Sequence, residues 1–309
     1  MSKVIVFGGS GFLGSHVADT LTEKGYEVVI YDRKPSQYIQ KAQQMVVADI
    51  LDQGKIRETI KGADYVYHFA GIADIDEAKE KPVDTVKYNV LGTAYIFDAC
   101  VEFNVKRVLY ASTVYVYSEH GSFYRSSKQA SELFIENYNK ICGLHYTILR
   151  YGSLYGKRAN RSNAIDTMIR DAFRYGVIKR KGSGTEIREY INVLDAARAS
   201  VEVLSEEFKD SYVILTGAQP MKVSEMLRLI KEIFNNQIEI EYLTERSEEH
   251  YEITPYSFRP RVAKKYLLQH YHDLGQGILE CIYDICDQLE RSNETVEIKT
   301  DVFKEGNVN

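Results

Sequence analysis

The chain has 309 residues, 44% hydrophobic and 27% charged, with no low-complexity tract, which is the composition of a folded globular protein of one or two domains. Lys and Arg number 39 against 44 Asp and Glu, a net charge of −5, so no basic field marks it for nucleic acid. Cys100, Cys142, Cys281 and Cys286 form no CxxC pair, which points to free thiols rather than a metal site, and "KVIVFGG" at the amino terminus is too short for a leader or a membrane span, so a cytoplasmic protein is expected.

"KVIVFG" is short, apolar and rich in β-branched residues, the pattern of a buried parallel strand. "GFLGSHVADTLTEKG" then has helical spacing and closes at Gly25. "EVVIYD", "MVVAD" and "ADYVYHFAG" read as the second, third and fourth strands. "VLGTAYIFDACVEFN" reads as a helix, "RVLYAST" as a fifth strand, the run after Tyr124 as a helix, and "LHYTILRYG" as a sixth strand. Strands alternating with helices in this way predict a doubly wound parallel α/β sheet of Rossmann type.

Beyond about residue 157 the pattern loosens. "AIDTMIRDAFRYG" and "KVSEMLRLIKEIF" have helical spacing, "SYVILTG" reads as a strand, and "GSGTEIREYINVLDAARASVEVL" reads as turn, strand and helix. These segments predict a first domain over 1–165, rejoined by later segments near 187–218, and a smaller mixed α/β region over 166–290. The polar residues 291–309 form an expected loosely attached tail, in which "VEIKTDVF" alternates enough for an edge strand.

"FGGSGFLGSH" holds two glycine spacings at once, Gly9-Gly11-Gly14 and Gly8-Gly11-Gly14. Following a strand and opening a helix, it has the context a dinucleotide loop requires. Glycines allow close backbone approach, and the first helical residues, Phe12 and Leu13, offer unpaired N–H groups to a pyrophosphate. Asp32 ends the second strand 18 residues after Gly14, where a carboxylate can accept both ribose hydroxyls and favours NAD; Arg33 beside it leaves room for NADP.

In "YRSSK", Tyr124 and Lys128 stand at i and i+4 and share one helix face. A phenol of reference pKa about 10 is a poor base, but an ammonium and an oxidised nicotinamide both favour its phenolate. Thr113, at the carboxyl end of the fifth strand, is placed to orient a substrate alcohol. An exposed helix pair is the alternative for a lone YxxxK, and the surrounding dinucleotide fold argues for proton transfer.

With these motifs in order, the sequence resembles the extended short-chain dehydrogenase/reductase family, in its NAD-dependent nucleotide-sugar epimerase/dehydratase branch, over at least residues 3–200. The resemblance implies that "VVADI" (Asp49, Ile50) holds the adenine and that "HFAG" (Phe69, Ala70, Gly71) lies along the cofactor. It implies that Asn89 in "KPVDTVKYNVLGT" braces the active-site strand, and that "LRYGSLYGKR" (Tyr151, Ser153) runs under the nicotinamide toward the substrate phosphates. Arg188 in "GSGTEIREYINVLDAA" is the implied ligand of the sugar-nucleotide diphosphate; the family's last arginine is Arg259 or Arg261.

Departures narrow the chemistry. Val114 and Tyr115 stand where the 4,6-dehydratases carry the Asp-Glu pair that drives water elimination, so dehydration is disfavoured. Six residues separate Tyr117 from Tyr124, a shorter loop than in relatives, and Gly152 and Ser153 replace an aromatic and an Asn common there. The expected activity is oxidation at C4 of a nucleotide-diphosphate sugar, as 4-dehydrogenase or 4-epimerase, in sugar-nucleotide or surface polysaccharide biosynthesis. A NADP-dependent reductase of a small carbonyl compound and a non-catalytic cofactor sensor are the alternatives; the sensor predicts damage at Thr113, Tyr124 or Lys128, and all three are present. A homodimer or dimer of dimers is expected through "VLGTAYIFDACVEF" and "SELFIENYNKIC", whose apolar side chains exceed one stripe. No metal, nucleic acid or membrane partner is expected.

Overall fold

The computed structural model describes residues 1–244, 263–292 and 294–298. The strands are β1 (Lys3–Phe7), β2 (Glu27–Asp32), β3 (Gln43–Val47), β4 (Tyr65–His68), β5 (Arg107–Thr113), β6 (Tyr146–Tyr151), β7 (Ser153–Tyr155), β8 (Val177–Lys181), β9 (Ile187–Arg188), β10 (Tyr190–Asn192), β11 (Ser211–Leu215), β12 (Met221–Lys222), β13 (Glu239–Leu243) and β14 (Lys264–Lys265). The helices are α1 (Phe12–Glu23), α2 (Gln53–Ile60), α3 (Ile75–Glu80), α4 (Pro82–Thr85), α5 (Gly92–Glu102), α6 (Ser122–Cys142), α7 (Ala164–Tyr175), α8 (Val193–Glu202), α9 (Val223–Ile233) and α10 (Leu274–Arg291). Residues 1–152, 196–216 and 263–267 form one compact unit, and 153–195, 217–244, 268–292 and 294–298 a second.

The first unit holds an eight-stranded sheet in the order β14-β11-β6-β5-β4-β1-β2-β3, with every described pairing parallel. This is the doubly wound sheet of the Rossmann type. Strand order reverses between β1 and β4, and the crevice at the carboxyl ends of such a pair is where these sheets bind ligands. Val4, Ile5, Val6 and Phe7 of β1 are fully buried, because helices cover both faces of a parallel sheet and leave no solvent side. Each such side chain contributes about 1.5–3 kcal/mol by leaving water.

The stretch read as one helix from Val90 is two structures. Residues Val86–Leu91 form a π-helical turn, and α5 begins only at Gly92. Of its apolar residues, Ile96 and Phe97 are buried and Tyr95, Val101 and Phe103 pack half-buried on the core, whereas Leu91 stays exposed.

The second unit packs α7, α9 and α10 around Phe173, Met226, Phe234 and Ile282. Its small sheets pair β7 with β10, β8 with β13, and β9 with β12. Residues 294–298 form no strand. Glu297 and Ile298 donate their N–H groups to the Phe173 carbonyl, so the start of the tail is fastened to the end of α7; the rest of "VEIKTDVF" lies outside the described residues.

Candidate active site

The glycine loop between β1 and α1 is shaped by contacts that exclude side chains. Gly8 has φ +78°, and a Cβ there would sit 2.6 Å from the Ala70 nitrogen after β4. A Cβ on Gly14 would sit 2.3 Å from the Gly8 carbonyl oxygen, so α1 can start this close to the turn only without one. Gly11 caps α1 without a side-chain acceptor, and no acidic residue occupies the first turn, so the N–H groups near Phe12 and Leu13 keep their capacity for an anion. Beside them, Asp32 accepts from the Ser10 nitrogen at 3.1 Å and the Lys34 nitrogen at 3.1 Å. That holds its carboxylate at the end of β2 and next to the loop. Asp49 accepts from the Leu51 nitrogen at 2.9 Å and Ile50 is buried beneath Gly92. An open backbone cradle, an uncapped helix end and a carboxylate at the second strand fit an adenine dinucleotide, and the carboxylate would repel a 2′-phosphate.

From the loop, contacts lead stepwise to α6. Phe69 donates to the Phe7 carbonyl at 2.8 Å, and Gly71 follows with φ +144°. Asn89, in the π-helical turn, clasps the next residue: its Oδ1 accepts from the Ile72 nitrogen at 2.7 Å, and its Nδ2 donates to the Ile72 oxygen at 2.9 Å. The same Nδ2 donates to Ser127 Oγ at 2.9 Å, and Ser131 donates to the Asn89 carbonyl at 2.8 Å. Asn89 therefore braces the segment after β4 against α6. The wider turn presents both its amide and its carbonyl sideways, a use often made of π-turns at functional sites.

On α6, Tyr124, Lys128 and Glu132 follow one another at four-residue steps on the side facing the sheet, and Lys128 and Glu132 are buried. The helix starts at Ser122, two residues before Tyr124, after a left-handed Gly121. Lys128 Nζ donates to the Ala111 carbonyl of β5 at 2.8 Å and lies 4.9 Å from the Tyr110 ring centre and 5.9 Å from that of Tyr124. Burial pushes the Lys128 ammonium down to about 8, with Glu132 opposing. Burial pushes the Tyr124 phenol up to about 12, and a hydrogen bond with Thr113 pulls it back. In the protein alone burial thus outweighs any help to the phenolate. Thr113 ends β5 in register with Tyr151, and its Oγ1 accepts from the Tyr115 nitrogen at 3.2 Å, which leaves its proton free to be donated. Thr113, Tyr124 and Lys128 are brought together at the carboxyl end of β5.

Tyr151 is buried, and its hydroxyl lies 2.6 Å from Ser200 Oγ; since Ser200 donates to the Ala196 carbonyl at 2.6 Å, Tyr151 is the donor to it. Its phenol is committed to the core, so any contact it makes with a cofactor comes from ring or main chain. Ser153 and Arg188 belong to the second unit: the Ser153 nitrogen donates to the Glu189 carbonyl at 3.2 Å, and Arg188 is buried with Nη1 on the Ile187 carbonyl at 2.8 Å. Arg259 and Arg261 lie outside the described residues.

Motif reading passes over Glu132 and Arg150. Arg150 Nε donates to Glu132 Oε1 at 3.0 Å and Nη2 to Oε2 at 2.6 Å, and Ser112 adds a bond to Oε1 at 2.6 Å. The guanidinium also donates to the Tyr117 hydroxyl and lies 4.6 and 4.4 Å from the ring centres of Tyr117 and Tyr212. A Glu four residues after the Lys was the available signal, yet that spacing also describes any exposed helix pair.

Comparison with known proteins gives the family of the chain and the proteins that share its fold. The profile described as "NAD dependent epimerase/dehydratase family" matches residues 4–214. The chain is 29% identical over 251 residues, 74% of its length and 81% of the relative's, to a Methanocaldococcus jannaschii protein provisionally named UDP-glucose 4-epimerase. It is 26% identical over 265 residues, 77% of its length and 82% of the relative's, to the UDP-N-acetyl-alpha-D-glucosaminuronate decarboxylase of Bacillus cytotoxicus. Its fold matches, with TM-score 0.82 and 22% identity over 93% of this chain and 99% of the other, a mutant UDP-glucuronic acid 4-epimerase of Bacillus cereus in complex with UDP-4-deoxy-4-fluoro-glucuronic acid and NAD. A match over the whole run that builds the glycine loop, the Asn89 clasp and the Thr113-Tyr124-Lys128 group places the chain in one enzyme family: it belongs to the NAD dependent epimerase/dehydratase family.

Proposed function

We propose that the protein is a UDP-sugar 4-epimerase, with 4-dehydrogenase action on the same substrate as the second reading. The observation that carries this is the meeting of Thr113, Tyr124 and Lys128 at the end of β5, joined through Asn89 to the segment that approaches the glycine loop. The names of the relatives supply the nucleotide and the C4 position.

Bound at the glycine loop with its ribose on Asp32, NAD supplies the hydride acceptor. Tyr124 takes the proton of the C4 hydroxyl, Thr113 donates a hydrogen bond that orients that oxygen, and Lys128 lends the positive charge that lowers the phenol. For this the substrate and cofactor must overcome the burial that holds Tyr124 near 12 in the protein alone. If the 4-keto sugar turned and took the hydride back at C4 on its opposite face, with the proton held by Tyr124 returning to the C4 oxygen, the net result would be epimerisation. Loss of the ketone would leave the reduced cofactor behind and give a dehydrogenase. Ser153 and Arg188 bind the substrate's phosphates. The cofactor contacts come from Gly8, Gly11, Phe12, Leu13, Gly14, Asp49, Ile50, Phe69, Ala70, Gly71 and Asn89. The protein works in the cytoplasm as a homodimer or dimer of dimers, supported by Leu133, Phe134 and Ile141, which leave 54%, 46% and 81% of their surface exposed on α6. Its product feeds polysaccharide or other glycan synthesis.

The test is to denature the purified protein and identify the nucleotide released, then to supply UDP-glucose and UDP-glucuronic acid and follow products by NMR. A C4 epimer without net NADH is the expected result. NADH accumulating with a 4-keto sugar favours the dehydrogenase, and a requirement for NADP overturns the assignment.

A further inference from the structure

Glu132 is one helical turn beyond Lys128, 6% exposed, and takes every bond the structure gives it from the sheet side. Ser112, its donor on β5, is the residue before Thr113. Arg150, its partner on β6, is itself 3% exposed and also holds Tyr117, at the end of the short 3-10 turn that follows Thr113. One carboxylate therefore joins the helix that carries Tyr124 and Lys128 to the strand end that carries Thr113. Gln129 adds a bond from α6 to the Val116 carbonyl at 2.8 Å, so the turn is held at two points.

Stability alone does not account for this arrangement. A buried ion pair is often no more stable than apolar residues of the same size, because desolvation cancels most of the attraction. We propose that Glu132 is a positioning residue for the Lys128-Tyr124-Thr113 group, fastening α6 to the ends of β5 and β6 and keeping the ammonium of Lys128 charged. It rests on the function proposed above for the same site and names a residue outside the reacting set. The groups around Lys128 support it element by element. From α6 come Tyr124 and Glu132; from β5 the Tyr110 ring and the Ala111 carbonyl; from β4 the buried His68, held uncharged by burial and by the Lys128 charge. Among these Glu132 is the only carboxylate. Its charge, shared with the Arg150 guanidinium on β6, opposes the burial that drives Lys128 to about 8, so without it the ammonium would give up its proton more readily.

The experiment reads Lys128 directly and needs neither substrate nor cofactor. The full chain is labelled with 13C at lysine Cε, the Lys128 signal is assigned by its loss in Lys128→Met, and its titration is followed by NMR. Glu132→Gln is expected to lower the midpoint by about one pH unit, while Glu132→Asp, which keeps the charge, leaves it near the parent value. Glu132→Met/Arg150→Met replaces the pair by apolar side chains and is expected to fold with parent-like thermal stability and to show a midpoint that is lowered, by less than in Glu132→Gln because the Arg150 cation leaves with the carboxylate. It carries the test if Glu132→Gln does not fold. A midpoint unchanged in the folded variants overturns the proposal and leaves Glu132 a structural tie. Should the midpoint shift while the parent turns over no UDP-sugar, the functional assignment fails, and what survives is that Glu132 sets the charge of Lys128.

Discussion

A methyl group on Gly71 would lie 2.6 Å from Asn89 Oδ1, the atom that accepts the Ile72 N–H. Gly71→Ala must therefore displace the Asn89 amide, and its own φ of +144° is strained for any side chain. Asn89→Asp keeps the shape but loses the donor to the Ile72 oxygen and to Ser127. Each change leaves buried polar groups unpaired and should cost about 1–3 kcal/mol, measured by urea unfolding. Turnover should fall further than stability explains, because the clasp also holds α6 through Ser127 and Ser131.

Removing the phenol separates binding from chemistry. Tyr124→Phe deletes the proton acceptor and leaves the glycine loop, Asp32 and Asn89 intact. Turnover on a UDP-sugar should drop by about 10²–10⁴. NAD retained by the purified variant, measured after denaturation, should match the parent. Thr113→Val should behave alike with a smaller loss. Equal turnover by Tyr124→Phe would remove Tyr124 from the reaction.

How much of this was legible before the fold was known differs by region. β1, β2, β5 and β6 read correctly because strands covered on both faces are continuous apolar runs, a pattern that depends on nothing distant. α10 did not, since Gly275 and Gly277 speak against a helix. Gly277 is there because a Cβ would lie 2.6 Å from the Tyr155 hydroxyl, a packing demand from a strand more than a hundred residues earlier. The π-helical turn at Val86–Leu91 also escaped notice, as its sequence has ordinary helical spacing. In the site, the YxxxK pair and the strand-end threonine could be found from motif and order. The Glu132–Arg150 pair could not, because a helix residue and a strand residue 18 positions apart meet only once β6 is laid beside β5.

Asp32 offers a test of cofactor choice. Its carboxylate already accepts two backbone N–H groups, so Asp32→Asn can keep part of the local structure, whereas Asp32→Ala removes it. Hydrogen bonds to a charged group contribute about 1.5–3 kcal/mol, so Asp32→Ala should weaken NAD by roughly 10–100-fold by calorimetry. NADP binding should be weak in the parent and should improve relative to NAD in the variant, as the repulsion of the 2′-phosphate disappears. A parent that prefers NADP would reverse the reading.

His68 should make the fold sensitive to acid. It is 1% exposed, and its Nε2 lies 2.8 Å from Thr93 Oγ1. Thr93 spends its one proton on the Asn89 carbonyl at 2.7 Å, so His68 is the donor and carries its hydrogen on Nε2. Among the described residues no partner reaches Nδ1. Burial first, and the Lys128 charge second, lower the imidazole from 6.5 to about 3. Between those values the unfolded chain binds a proton that the folded chain refuses, so stability is full above pH 6.5 and is lost as pH falls toward 3. The loss from this residue between about pH 7 and 4.5 should be ~2–3 kcal/mol. Comparing urea unfolding of the parent and His68→Gln at both pH values isolates it, since glutamine does not titrate and other acid-sensitive groups contribute equally to both. Parallel losses in the two proteins would mean that His68 takes up its proton inside the fold.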